Sequence, residues 1–301
     1  MATLTSRNSR KKSLERQGRT ATFFLFPSIT ALALFVFWPI ADSLWLSFHH
    51  WSLLDPEHAF AGLDNYSSLV KDPLFWKDVR QTAVYTVFVV PLSIALALLL
   101  ALLCNEKLKG LAFFKAVYFL PVVSSFAIIA IVWSFLMDPD IGLLSYYFKQ
   151  IGLSSGEWLR STTWAMPAVI LVAVWKNVGF NMVILLAGLQ GIPASLYEAA
   201  KLDGAGMFGR FRSVTLPMLR HTLLFVLITS ITASFQVFDQ VYVMTRGGPL
   251  HSTETIVYYI YHQGFELLDM GYASSAAWIL FAAVFAITIV QLKLFRYDQT
   301  D

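Results

Sequence analysis

The chain has 301 residues, of which 57% are hydrophobic and only 14% charged, and its mean hydropathy is +0.61. Soluble domains carry about 25% charged residues, so the composition excludes a soluble domain and marks an integral membrane protein. The net charge of +3 collects largely in the N-terminal tail, an orientation signal rather than a nucleic-acid arm, and a single cysteine, Cys104, excludes an intrachain disulfide and a cysteine-rich metal site.

A bilayer core of about 30 Å calls for about 20 apolar residues per helix, because lipid cannot satisfy exposed backbone groups. In chain order, a basic tail over 1–20 is followed by six predicted spans: 21–45, 81–104, 112–137, 164–189, 218–241 and 272–295. The first apolar run exceeds the ~7–15 residues of a signal-peptide core, so it reads as an uncleaved helix. Span three carries Pro121 just before Ser124 and Ser125, and the missing backbone donor predicts a kink there. The connection 49–80 reads as an outer loop in which His49 and His50 are solvated.

Lys and Arg orient the bundle. The tail holds Arg7, Arg10, Lys11, Lys12, Arg16 and Arg19; the connection after span two adds Lys107 and Lys109. The polar loop before span five, with its edge, adds Lys201, Arg210, Arg212 and Arg220, and the C-terminus adds Lys293 and Arg296. The opposite connections hold only Lys71, Lys77, Arg80, Lys149, Arg160 and Arg246. Positive charge stays in the cytosol, which predicts a multi-pass protein of the cytoplasmic membrane with both termini and the loop near 200 on the cytoplasmic side.

That loop is the most specific segment of the chain. Ser195-x-x-Glu198 has capping-box spacing and predicts a helix start that holds Glu198 in the first turn, at the positive end of the dipole. Ala199 and Ala200 favour helix and leave room for close approach of a partner. Gly204 supplies the backbone freedom that ends the helix, and Pro217 opens the next span. Gly204-x-Gly206-x-x-Gly209 formally matches a dinucleotide-binding fingerprint, but that chemistry needs a preceding strand in a βαβ unit. Here the glycines follow a helix and lead into a span. The chain has no G-x-x-x-x-G-K-[ST] motif, so it cannot cradle ATP phosphates in the usual way.

Residues 198–217, EAAKLDGAGMFGRFRSVTLP, resemble the EAA loop of ATP-binding-cassette import permeases, in the order EAA–xx–DGA–x5–F–xxxx–LP. Phe60-Ala-Gly62-Leu63-Asp-Asn65-Tyr66 resembles the F-x-G-L-x-N-Y stretch of carbohydrate permeases. Phe238-Asp239, Tyr242 and the run Thr245 to Pro249 resemble that family's segment ending in T-x-G-G-P, and Trp175-Lys176, Gly179 and Leu189 to Pro193 its fourth-span pattern. The resemblance implies the type I importer permease fold, one N-terminal helix ahead of a five-helix core. Its domains are the tail (1–20), the first helix and outer loop (21–75), the permease domain (76–295) with a coupling loop at 190–217, and a short tail (296–301). It also implies a transport subunit, not an enzyme, that moves a sugar or related carbohydrate. The implied partners are a second, different permease, an ATPase dimer that carries ATP and Mg, and an extracytoplasmic solute-binding protein. No cofactor is expected on this chain. The ATPase-coupling positions it implies are Glu198, Ala199, Ala200, Asp203, Gly204 and Ala205, with Glu198 and Gly204 foremost.

Polar groups inside spans are costly and mark candidate solute contacts. Lys176, Asn177 and Asn181 fall in span four, and Ser230, Ser234 and Gln236 in span five, with Trp175 and Phe180 as aromatic faces for a sugar. By the family analogy Asn177, Phe180, Ser230 and Ser234 face the solute pocket. The alternative for each Ser or Thr is a bond to its own backbone or to a neighbouring helix. For Lys176 the candidate partners are Asp239, an acid of the second permease, or an anionic solute. Glycerol-3-phosphate or a polyol would suit the same architecture. An ion-coupled secondary carrier would call for paired acids at mid-membrane, and a membrane enzyme for clustered His, Cys or carboxylates; neither pattern is evident.

Overall fold

The computed structural model describes residues 24–105, 110–152 and 157–296. The basic tail, Lys107, Lys109 and the last five residues lie outside the described residues. The described residues are built mostly from helices, and among them five are long and apolar enough to cross a membrane, or six if one sharply bent pair is counted as a span.

Helix α1 (Phe24–Leu46) has no buried residue; it contains one π-helical turn at Ala33–Phe37. Residues 49–60 form a two-stranded antiparallel hairpin, β1 (His49–Ser52) and β2 (Asp55–Phe60), in the register His49↔Phe60 and Ser52↔Asp55. The hairpin was not expected from the sequence, where HHWSLLDPEHAF shows no clean alternation. What holds it is the segment that follows. Gly62 takes a positive φ of 56°, turning the chain so that the Asn65 amide donates to the Ser47 and His49 carbonyls at 3.0 Å each. Tyr66 donates to Ser47 Oγ at 2.7 Å. His49 is therefore not solvated: its ring is buried, centred 3.9 Å from the Trp45 ring and tilted 31° to it, with Nδ1 2.8 Å from the Trp45 carbonyl. His50 is exposed and faces Asp64 at 3.3 Å.

After α2 (Asp64–Lys71), helix α3 (Pro73–Cys104) begins eight residues before the predicted span. The cause is local: Asp72 caps the helix by accepting from the Leu74 amide at 2.8 Å, and Pro73 fills the first position. The other Asp72 oxygen accepts from Tyr259 at 2.5 Å and Tyr272 at 3.3 Å, tying α3 to the last third of the chain.

Span three is two helices, α4 (Leu111–Val123) and α5 (Phe126–Leu136), at 101° to one another. Pro121 lies inside α4; the break is at Ser124 and Ser125, both extended with ψ of 144°. The predicted kink is thus a complete break, placed after the proline. Following α6 (Leu143–Gln150), α7 (Ala165–Gln190) runs through the centre and is buried over most of its length. Its small residues set the crossings: a Cβ at Gly179 would collide with the Tyr118 carbonyl of α4, and one at Gly188 would lie 2.7 Å from Thr222 Oγ1.

The short α8 (Ala194–Leu202) precedes α9 (Met207–Phe235), which carries a π turn at Phe211–Thr215. Predicted span five ends early, at Phe235; residues 236–238 turn, and α10 (Asp239–Met244) starts afresh. The chain closes with α11 (Ile256–Tyr261), a π turn at His262–Glu266 and α12 (Met270–Arg296). The main apolar core gathers α7 residues such as Val169, Val172, Met182 and Leu185 with Val89 and Ala97 of α3 and Leu219 and Val226 of α9.

Candidate solute cavity and docking helix

Helical spacing puts three polar faces around one void. Tyr85, Val89 and Ser93 share a face of α3, Asn177 and Asn181 a face of α7, and Ser230 and Ser234 a face of α9. Between them lies a cavity of about 300 Å³, closed by Phe126 and by residues 236–240. Both helix breaks reach this void, since Phe126 opens α5 and residues 236–238 separate α9 from α10. Irregular backbone at membrane depth is tolerated where it lines a cavity.

Six of the seven sequence-chosen path residues (Asn177, Phe180, Asn181, Ser230, Ser234 and Gln236) line the cavity. They are not equivalent. Ser234 is buried, and its hydroxyl donates to Thr86 Oγ1 at 3.0 Å and to the Ile231 carbonyl at 2.8 Å, joining α9 to α3. Asn181 donates to Ser230 Oγ at 3.4 Å, joining α7 to α9. Asn177, Gln236 and Asp239 make no such bond among the described residues, which leaves two amides and a carboxylate facing the void. Tyr85 and Gln240, absent from the sequence candidates, are joined at 2.6 Å in its wall. Tyr85 sits beyond reach of a polarity scan because aromatic hydroxyls are ordinary in apolar spans; Gln240 falls at a span end, where polar residues carry no signal.

Lys176 is the exception. It does not line the cavity and does not meet Asp239. Its ammonium donates to the Pro121 carbonyl at 3.3 Å and lies 4.4 Å from the centre of the Phe126 ring. Because Ser125 is extended, the Pro121 carbonyl has no helical donor four residues on. A cation at this helix C-terminus also complements the dipole. Trp175 likewise points elsewhere, packing against Trp133 at 5.5 Å beside a separate apolar groove between α3, α4 and α7.

At the other end of α7, α8 starts at Ala194 directly after Pro193 and has no side-chain cap. Ser195 is already inside the helix, so the expected capping box does not form; Pro193, with ψ of 132°, is the N-cap and sets the start two residues earlier. The helix end follows the expectation. Gly204 takes φ of +81°, and the Gly204 and Ala205 amides bond the Lys201 and Ala200 carbonyls at 3.1 and 2.9 Å, a Schellman closure. Tyr197 anchors α8 through Thr215 at 3.0 Å. Outward it presents Glu198 and Ala199, flanked by Leu202, Met207 and Phe208, which are 90%, 84% and 74% exposed. Leu202 ends α8, and Met207 and Phe208 open α9, so the three exposed apolar side chains gather where the two helices meet. No strand precedes Gly204 among the described residues other than the distant hairpin; Gly204 closes α8, Gly206 precedes α9 and Gly209 lies within it, which is not a dinucleotide-binding turn.

Residues 75–296 match the family described as the binding-protein-dependent transport system inner membrane component. A probable ABC transporter permease of Bacillus subtilis, YurN, is 36% identical over 282 residues, covering 92% of this chain and 96% of that protein. The trehalose/maltose transport system permease MalF of Thermococcus litoralis is 34% identical over 290 residues, covering 96% and 98%. Among solved structures, a bacterial ABC transporter involved in the import of the acidic polysaccharide alginate has a similar fold, with a TM-score of 0.84 over 95% of this chain and 98% of that one at 22% identity.

Proposed function

The chain belongs to the binding-protein-dependent transport system inner membrane components, the permeases of ABC importers, and we propose that it passes a neutral carbohydrate through the cavity between α3, α7 and α9. The observation that carries this is the lining. It offers amides, hydroxyls and the rings of Tyr85, Phe126, Phe180 and Phe238, but no Lys, Arg or His and a single carboxylate, Asp239. Amides and hydroxyls match sugar hydroxyls, and rings match the apolar faces of a pyranose. An anionic solute such as glycerol-3-phosphate would meet a carboxylate and no cation in this half of the pore. The relatives include permeases for trehalose/maltose and lactose and others for sn-glycerol-3-phosphate, so the lining, not the relatives, carries the choice between them.

In this reading a second permease completes the pore, and a separate ATPase dimer binds ATP and Mg and receives α8 in a groove, the usual seat for a short helix. An extracytoplasmic binding protein delivers solute to the hairpin end. The Lys/Arg distribution supports a cytosolic α8 and cytosolic termini. Glu198, Ala199 and Ala200 face or support the ATPase contact, and Asp203, Gly204 and Ala205 fix its end.

Gentle purification of the tagged chain tests the assembly: a second permease and an ATPase are expected with it. The recovered complex in liposomes should import labelled maltose or trehalose only with ATP and binding protein. Import by this chain alone without ATP would overturn the reading in favour of a secondary carrier.

A further inference from the structure

The cavity wall continues into a run of aromatic rings. Phe238, which lines the void, stacks on Tyr242 at 5.3 Å and lies 5.1 Å from Tyr261. Tyr242 and Tyr261 meet edge to face at 5.4 Å, and Tyr261 stacks on Phe265 at 5.4 Å. Tyr258 lies behind Phe238, Tyr242 and Tyr261 at 6.3–6.4 Å and is buried. The other rings are not: Phe238, Tyr242 and Tyr261 are half-buried and Phe265 is 60% exposed. The run therefore leads from the cavity, along α10 and α11, to the surface at the hairpin end.

We propose that Phe238, Tyr242, Tyr261 and Phe265 form a second carbohydrate subsite, an aromatic track on which pyranose rings stack between the outer face and the cavity. This rests on the carbohydrate reading above. A cluster that served packing alone would be buried throughout, as Tyr258 is. An interfacial belt of Tyr and Trp would face lipid along its length, whereas this one starts in a polar cavity wall. Behind the track, burial first and Glu266 second push the Tyr258 phenol up to about 12. Glu266 is itself held by His262 at 3.6 Å. Ring faces edged by phenol hydroxyls suit a ligand that is apolar on its faces and hydroxylated on its edges.

The test uses the complete importer in liposomes, comparing wild type with Y242L and Y261L, which keep bulk but lose the ring, and Y242F and Y261F, which keep it. Import of labelled maltose, trehalose, lactose and maltotriose is measured together with ATP hydrolysed. The expected result is at least a fivefold fall in sugar imported per ATP in the leucine variants and less than a twofold change in the phenylalanine variants. A merely structural role would lower import and hydrolysis together. F265L, at a ring already exposed, carries the same expectation if Y261L fails to assemble. An unchanged import per ATP in the leucine variants, or an equal fall in the phenylalanine ones, overturns the track while leaving the carbohydrate reading intact. A wild-type complex that imports none of the four sugars overturns both.

Discussion

The Lys176 ammonium lies 3.3 Å from the Pro121 carbonyl and 4.4 Å from the Phe126 ring centre, so one side chain of α7 touches both sides of the break in span three. The energies nearly cancel. An ammonium at mid-membrane costs about 2.5–3.5 kcal/mol. Against this stand a charged hydrogen bond of about 1.5–3 kcal/mol and a desolvated cation–π contact of about 2 kcal/mol. Lys176 thus specifies the angle between α4 and α5 more than it stabilises the fold. Lys176→Met should change stability by about 1 kcal/mol or less, a shift of at most about 2–4 °C in Tm. Import should fall, because Phe126 loses its fixed place in the cavity wall. Thermal unfolding and import on the same preparation check this. A large loss of stability with normal import per folded complex would make Lys176 an anchor only.

Two glycines should respond differently to alanine. At Gly179 a Cβ would run into the Tyr118 backbone, and only a shift of α4 from α7 relieves it. Gly179→Ala should lower stability by about 1–3 kcal/mol, the usual cost of overpacking, and disturb assembly. At Gly204 nothing lies within 4 Å, but φ is +81°, so the strain of about 1–2 kcal/mol stays local. Gly204→Ala should leave the main unfolding transition in place and speed trypsin cleavage at Lys201 as the end of α8 frays. Equal effects of the two on global stability would contradict this division.

These residues show what sequence reveals here and where it stops. Polar side chains in apolar spans stand out because lipid makes them costly, and that is why Asn177, Asn181, Ser230, Ser234 and Gln236 were visible before the cavity was. The same signal arises when the polar group serves the backbone, and nothing local separates Lys176 from its neighbour Asn177; only the extended Ser125, fifty residues away, does. The break itself sits in a run that is apolar on both sides, so composition shows one span. The hairpin is held by Asn65 and Tyr66 rather than by strand alternation. The start of α8 was misplaced by the attraction of a capping-box spacing that Pro193 pre-empts.

Glu198 is exposed on α8 beside three exposed apolar side chains and makes no bond within the chain among the described residues. Glu198→Lys should therefore leave Tm unchanged and lower binding-protein-stimulated ATP hydrolysis by tenfold or more. Circular dichroism melting and stimulated hydrolysis give the two readings. Unchanged transport would remove α8 as the point of coupling, and a lowered Tm would assign Glu198 a part in the fold.

Asn177 and Ser234 both line the cavity, yet their bonds predict opposite phenotypes. The Asn177 amide is uncommitted among the described residues, so Asn177→Ala removes a donor and acceptor from the void without orphaning a protein group. It should leave stability within about 0.5 kcal/mol, as for a change away from packed or bonded features, and reduce import of a carbohydrate substrate. Ser234 spends its hydroxyl on Thr86 and Ile231. Ser234→Ala leaves Thr86 Oγ1 without that donor in a buried place, a loss of about 1 kcal/mol, with little effect on which sugar is carried. Import kinetics across maltose, trehalose and lactose, set beside thermal unfolding, separate the two. A specificity change in Ser234→Ala with normal stability would mean that the hydroxyl turns from α3 toward the solute during transport.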